Sequence, residues 1–174
     1  MRLKRLSTEA AIRSDVRPPG DKAVADFDQG RDAMNPTSLI RQRLEEARSL
    51  AEILSACYDA FGGMLSAFDH YENGRGTFYA ALIMAGPAAA DGRNTIGMAP
   101  SLPPTDRDGP RWSEPAKEPN AQEVADSVAL IATLVERKLR IAAAAATSVA
   151  DRSACLQAAQ YADEVRGFMT GQGP

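Results

Sequence analysis

Apolar positions between residues 40 and 68 recur at steps of four and three without a miss: Ile40, Leu44, Ala47, Ala51, Leu54, Tyr58, Phe61, Leu65 and Phe68. Heptad spacing of this kind keeps one stripe of a helix turned toward one neighbour, as in a coiled-coil seam. A second stripe, Leu50, Ile53, Cys57, Ala60, Met64 and Ala67, runs beside it. Two adjacent stripes need a groove between two neighbours. The spacing therefore predicts one long central helix over residues 36–71, most deeply buried near Phe61. Asn35, Thr37 or Ser38 can cap its start, and Pro36 suits the first helical position. Arg41, Arg43, Glu45, Glu46, Arg48 and Glu52 lie mostly off the seam and read as a solvated face with weak ion pairs. Gly62 and Gly63 interrupt the pattern, each costing about 1 kcal/mol relative to alanine in a helix interior. Close approach of another backbone would offset that cost, and the alanine run 142–146 is the candidate partner.

The pattern weakens beyond Tyr71. Glu72-Asn73-Gly74-Arg75-Gly76 reads as a turn, and Thr77 can cap a short helix over 77–86 carrying Phe78, Tyr79, Leu82, Ile83 and Met84. Gly86-Pro87 is expected to stop it. Over 88–119, the cluster Asp91-Gly92-Arg93-Asn94 and six prolines, from Pro100 to Pro119, predict a Pro-rich crossover on the surface, tacked down by Leu102 and Trp112. Asn120-Ala121-Gln122-Glu123 has the form of a capping box. It opens residues 120–170, a long helix or a helix pair. Val124, Val128, Ile131, Val135 and Ala142 give one stripe, widened by Leu130, Leu134 and Ile141. Arg137, Lys138 and Arg140 beside Glu136 read as a solvated face. A break at Thr147-Ser148 is favoured, because a single chain of this length buries more by folding back. Ser148 and Asp151 would start the last helix, with Cys155, Ala158, Ala162, Val165 and Met169 as its stripe. Residues 1–35 are polar and charged, basic first and acidic later, and predict a flexible charged arm. The fold expected is all-α: an antiparallel bundle of three or four helices with a flexible N-terminal arm and a long Pro-rich crossover.

Composition narrows what such a bundle could do. The 174 residues allow one domain plus flexible ends. Hydrophobic residues make up 44% but aromatics only 6%, so alanine supplies much of the apolar count and the core should be thin. A net charge of −3 and only four lysines argue against a dedicated nucleic-acid or anionic-membrane binder. No apolar run approaches a membrane span, and the basic start lacks an apolar core, so a cytoplasmic location is expected. Cys57 and Cys155 sit among apolar residues and read as reduced, buried thiols, although spacing alone leaves a disulfide open.

Little chemistry is left. A single histidine, His70, excludes two-histidine metal motifs within one chain. Asp69, His70 and Glu72 cluster at a helix end, the one place where a weak acid–base or metal site could form. Gly74-Arg75-Gly76-Thr77 resembles a phosphate-binding turn but follows a helix rather than a strand. No catalytic motif, cofactor site or small-molecule site is evident. The expected function is a non-enzymatic structural or interaction role, a helical subunit assembling with itself or with a protein partner in a larger complex. The residues favoured for that contact are Leu54, Tyr58, Phe61, Leu65 and Phe68. Two alternatives remain: a small regulatory or nucleic-acid-associated protein using the basic N-terminal arm, and an enzyme with a site around His70.

Overall fold

A computed structural model describes residues 36–71, 77–104 and 120–172. Those residues form five helices and no strand: α1 (Pro36–Glu46), α2 (Leu50–Tyr71), α3 (Thr77–Gly97), α4 (Ala121–Ala145) and α5 (Val149–Thr170). The charged arm at 1–35, the turn at 72–76, the side chains of Phe78 and Tyr79, and the crossover from 105 to 119 with Trp112 lie outside the described residues. The all-α class and the bundle hold, with five helices in place of three or four.

The long helix expected over 36–71 is two helices, because Ala47-Arg48-Ser49 breaks it. The cause is a capping box that the uninterrupted seam conceals. Ser49 Oγ accepts from the Glu52 N–H at 3.2 Å, and Glu52 Oε2 accepts from the N–H groups of Ser49 and Arg48, both at 2.9 Å. These amides, Ser49's first, hold the Glu52 carboxyl below its ordinary range. α1 then folds back along α2. Arg43 meets Asp59 at 2.7 Å and Ile40 packs onto Gly63, so the two helices run antiparallel.

The short helix expected over 77–86 runs on to Gly97, with Pro87 inside it. Proline removes one helical hydrogen bond, to the carbonyl of Ile83. Pro87 and Ile83 both face solvent, where water can satisfy that carbonyl. The inner face carries Leu82, Ala85, Ala89, Gly92, Ile96 and Ala99, buried at steps of three and four. Most of these residues are too small to stand out in the sequence, and so 88–97 is helix rather than crossover.

α4 opens with the expected box: Asn120 Oδ1 accepts from Glu123 N–H at 2.9 Å and Glu123 Oε2 accepts from Asn120 N–H at 3.2 Å. It ends at Ala145. Ala146 turns extended, Arg152 Nη2 donates to its carbonyl at 3.0 Å, and Ser148 caps α5 by accepting from Asp151 N–H at 3.3 Å. α5 closes on Gly171, whose left-handed φ of 69° suits glycine, with Gln172 N–H donating back to Gly167 O at 3.0 Å.

α2, α3, α5 and α4 pack in that order around one core, and α1 lies outside, over α2 and α4. Gly62 beside Arg93 and Gly97 beside Tyr58 make α3 antiparallel to α2. The three-residue connection makes α5 antiparallel to α4. Ser101, just past α3, bonds Asp151 in the first turn of α5, so those helices also oppose each other. The end of α3 therefore lies at the same end of the bundle as the end of α4. The start of α4 lies about 37 Å away, the length of its 25 residues. Leu102 packs partly buried against the core as the chain leaves α3.

Candidate interaction surface

The seam residues divide into two rows. Leu54, Phe61 and Phe68 are buried, the first two completely, and form the middle of the core. Ala51, Tyr58 and Leu65 stay half-buried on the opposite edge of the stripe. Of the five residues favoured for a contact, three are thus consumed within the chain itself, and only Tyr58 and Leu65 reach the surface. The second stripe, from Ile53 through Cys57, Ala60, Met64 and Ala67, is buried throughout. On α4, Leu130 and Ile141 do not widen the buried face: they are 44% and 54% exposed.

α1 and α3 flank α2 from two sides and make no substantial contact with each other among the described residues. Between them an outer strip of α2 remains open, carrying Ala51, Ser55, Tyr58, Gly62, Leu65 and Ser66. At one end it opens into a groove of about 420 Å³ lined by Arg43, Glu46, Ala51, Glu52, Ser55 and Pro103 among others. At the other end lies a groove of about 250 Å³ between Leu65, Phe68, Leu82, Ile83, Gly86 and Pro87, with Asp69 at its rim.

The middle of the strip is polar. Arg43 pairs with Asp59, and the Arg93 guanidinium lies 4.5 Å from the Tyr58 ring centroid in a cation–π contact. Arg93 Nε is buried without a hydrogen-bond partner. Burial pushes the Asp59 carboxyl above its ordinary value, although Arg43 and Arg93 pull it down. Desolvation therefore outweighs pairing at this site. Gly62 leaves room for Arg93, and Gly63 receives the Ile40 side chain. Neither glycine packs against the alanine run expected to meet them. The partners are α1 and α3 because the elbow at Ala47–Ser49 returns α1 to α2.

Two buried polar side chains hold the far end of the bundle. Lys138, expected on a solvated face, is buried, and its Nζ donates to Ala47 O at 2.9 Å and Glu45 O at 3.3 Å. It thereby satisfies carbonyls left open where α1 ends. Asp151 accepts from Ser101 N–H at 3.0 Å and Ser101 Oγ at 2.8 Å.

The remaining candidate chemistry does not converge. His70 and Asp69 are exposed, His70 stacks edge-on against Tyr71 at 4.8 Å, and Glu72 lies outside the described residues. The described residues hold no group of histidine, cysteine or carboxylate side chains able to bind a metal. Cys57 and Cys155 are free and buried; burial pushes the Cys57 thiol far up and the Cys155 thiol up to about 11. No described helix is long and apolar enough to cross a membrane. No known protein family, curated protein or solved structure matches the chain.

Proposed function

We propose that this protein is a non-enzymatic helical subunit that works by assembling with itself or within a larger protein complex. One observation carries the reading: three of the six seam residues on α2, Ala51, Tyr58 and Leu65, stay only half-buried on a strip floored by small residues and flanked by two open grooves. A strip of this shape lets a further helix approach α2 closely, and its Tyr58–Arg93 pair has the composition of an interface anchor.

The test is sedimentation of the purified chain over a wide concentration range, with Tyr58→Glu and Leu65→Glu alongside. Mass should rise with concentration in the parent, and both variants should reduce association while keeping helical content. A chain that stays monomeric throughout and enters no larger particle in its native extract would refute the reading.

A further inference from the structure

We infer that α1 is an exchangeable element, and that two copies of this chain dimerise by trading α1 across the Ala47–Ser49 elbow. The inference rests on the self-assembly reading above and names a second copy as the partner, with the sockets of α1 rather than the Tyr58–Leu65 strip as the surface. α1 packs only on α2 and α4, without substantial contact to α3 or α5 among the described residues. Its anchors are few: Ile40 against Gly63, buried Leu44, the Arg43–Asp59 ion pair, and Lys138 on its last carbonyls. Every socket for those anchors lies on α2 or α4, so a second copy presents an identical set. Exchange restores the Ile40, Leu44 and Arg43 contacts and trades the elbow's own bonds, the Ser49–Glu52 box and Lys138 on the open carbonyls, for the backbone bonds of a continuous helix, at the cost of association.

The elbow is built to open. Ala47, Arg48 and Ser49 include no glycine or proline, and the seam passes through them at unbroken heptad spacing. The break depends on the Ser49–Glu52 box, which is local, and on one side chain from α4, Lys138. With the box undone, residues 36–71 can form one continuous helix about 54 Å long.

The register found in the closed chain also generates the dimer. Arg43 lies beside Asp59, and Ile40 beside Gly63. Carried into two straight antiparallel helices, those pairings put Ala51 level with Ala51 of the second copy and Ala47 level with Ser55. The two-fold axis thus crosses the rod at a stretch of small side chains, where little bulk holds the helices apart. The two bundles then lie end to end along the shared rod, on opposite sides of its centre. The uninterrupted seam that runs past a broken helix is accounted for by this second arrangement.

The test uses two substitutions that act on the elbow in opposite directions. Leu50→Pro occupies the first position of α2, where a proline is accommodated in the closed chain. A continuous helix would instead need the Leu50 N–H, and the ring would clash one turn back. Ser49→Ala removes the cap that maintains the break. Sedimentation should show a dimer in the parent, roughly tenfold tighter or more in S49A and lost in L50P. In a third variant, R43C/D59C, a short bis-maleimide should join two chains at high concentration. The native thiols are buried and stay silent in that experiment. A dimer unaffected by S49A, with the bis-maleimide closing within one chain, would overturn α1 exchange while leaving self-assembly intact. Absence of any dimer, S49A included, would overturn α1 exchange and self-assembly together, leaving assembly with a different protein as the reading that stands.

Discussion

Gly92→Ala gives the most direct test of how this core is packed. Gly92 lies in the last third of α3 against the ring of Phe61, which is completely buried. A Cβ at residue 92 would come within 3.0 Å of three atoms of that ring. Carbon atoms in contact normally sit about 3.5–4.0 Å apart, so the ring must give way. It is stiff and enclosed, unlike the far end of an aliphatic chain. Overpacking of this kind costs typically 1–3 kcal/mol. Against it stands the gain in helix propensity, about 1 kcal/mol for glycine to alanine. Three ring atoms met at once put the cost in the upper part of that range, about 2–3 kcal/mol, so the net expectation is a loss of about 1–2 kcal/mol, or a fall in Tm of roughly 2–8 °C for a domain of this size.

Gly62→Ala supplies the control. It is the same substitution inside the neighbouring helix α2, and the added carbon meets only the Arg93 side chain, at an ordinary contact distance of 3.5 Å. It should stabilise by about 0.5–1 kcal/mol. Propensity largely cancels between the two variants, so their difference in urea-unfolding free energy isolates the clash with Phe61. A double-mutant cycle sharpens the result: Phe61→Leu should cost less in the Gly92→Ala background than in the parent, with a coupling of about 1 kcal/mol or more. If Gly92→Ala unfolds at or above the parent, or if the cycle shows no coupling, the packing of α3 onto α2 given above is wrong.

Other outcomes follow from the same contacts. Gly63→Ala should be nearly neutral, because the side chain it meets is the flexible tip of Ile40, whereas Gly63→Leu should lower Tm by displacing α1. Asp59 has a raised folded-state pKa, so its contribution to stability is present below the unfolded carboxyl pKa and is lost as pH rises through the folded value. Asp59→Asn should therefore compare more favourably with the parent at pH 7 than at pH 4, read as the difference in Tm between the two conditions. Cys57 and Cys155 should resist a thiol reagent at pH 8 in the native protein and react fully in 6 M guanidinium, since burial raises both thiols well above that pH. Asp151→Ala should cost about 2–3 kcal/mol by urea unfolding, because Ser101 loses a charged acceptor for two hydrogen bonds.

What could be read from the sequence was what large side chains or strong caps announce. The stripes of α2, the Asn120 capping box and the start of α5 at Ser148 are all carried by such residues. The errors fall where small residues do the packing or where two signals compete. α3 extends past Pro87 because its inner face is alanine and glycine, complementary to Phe61, and an Asp-Gly-Arg-Asn cluster looks the same whether or not an aromatic ring waits opposite it. The break before α2 was written in Ser49-Leu50-Ala51-Glu52, but an unbroken apolar period overrode a four-residue cap. For the candidate contact residues Leu54, Phe61 and Phe68, periodicity shows which positions share a face without showing whether the same chain supplies the cover, and here it does.

Lys138 and Asp151 show why a core this rich in alanine holds one register. Alanine ridges are shallow, so sliding one helix past another by a turn changes packing less than it would between ridges of leucine. Lys138 falls on the buried seam of α4 with Val128, Ile131, Val135 and Ala142, and Asp151 falls on that of α5 with Cys155, Ala158, Ala162 and Val165. Each sits where an apolar residue would otherwise be expected, and each finds its partners at one point only: the carbonyls closing α1 for Lys138, the Ser101 amide and hydroxyl for Asp151. A slip of one turn would leave both groups buried without those bonds, at a cost of at least several kcal/mol for two charged side chains. The same polar substitution of a seam position fixes register in coiled coils. In this bundle the two groups tie α4 to the α1–α2 elbow and α5 to the end of α3, so every helix is indexed against another at the end of the bundle where one terminus of each of the five helices lies.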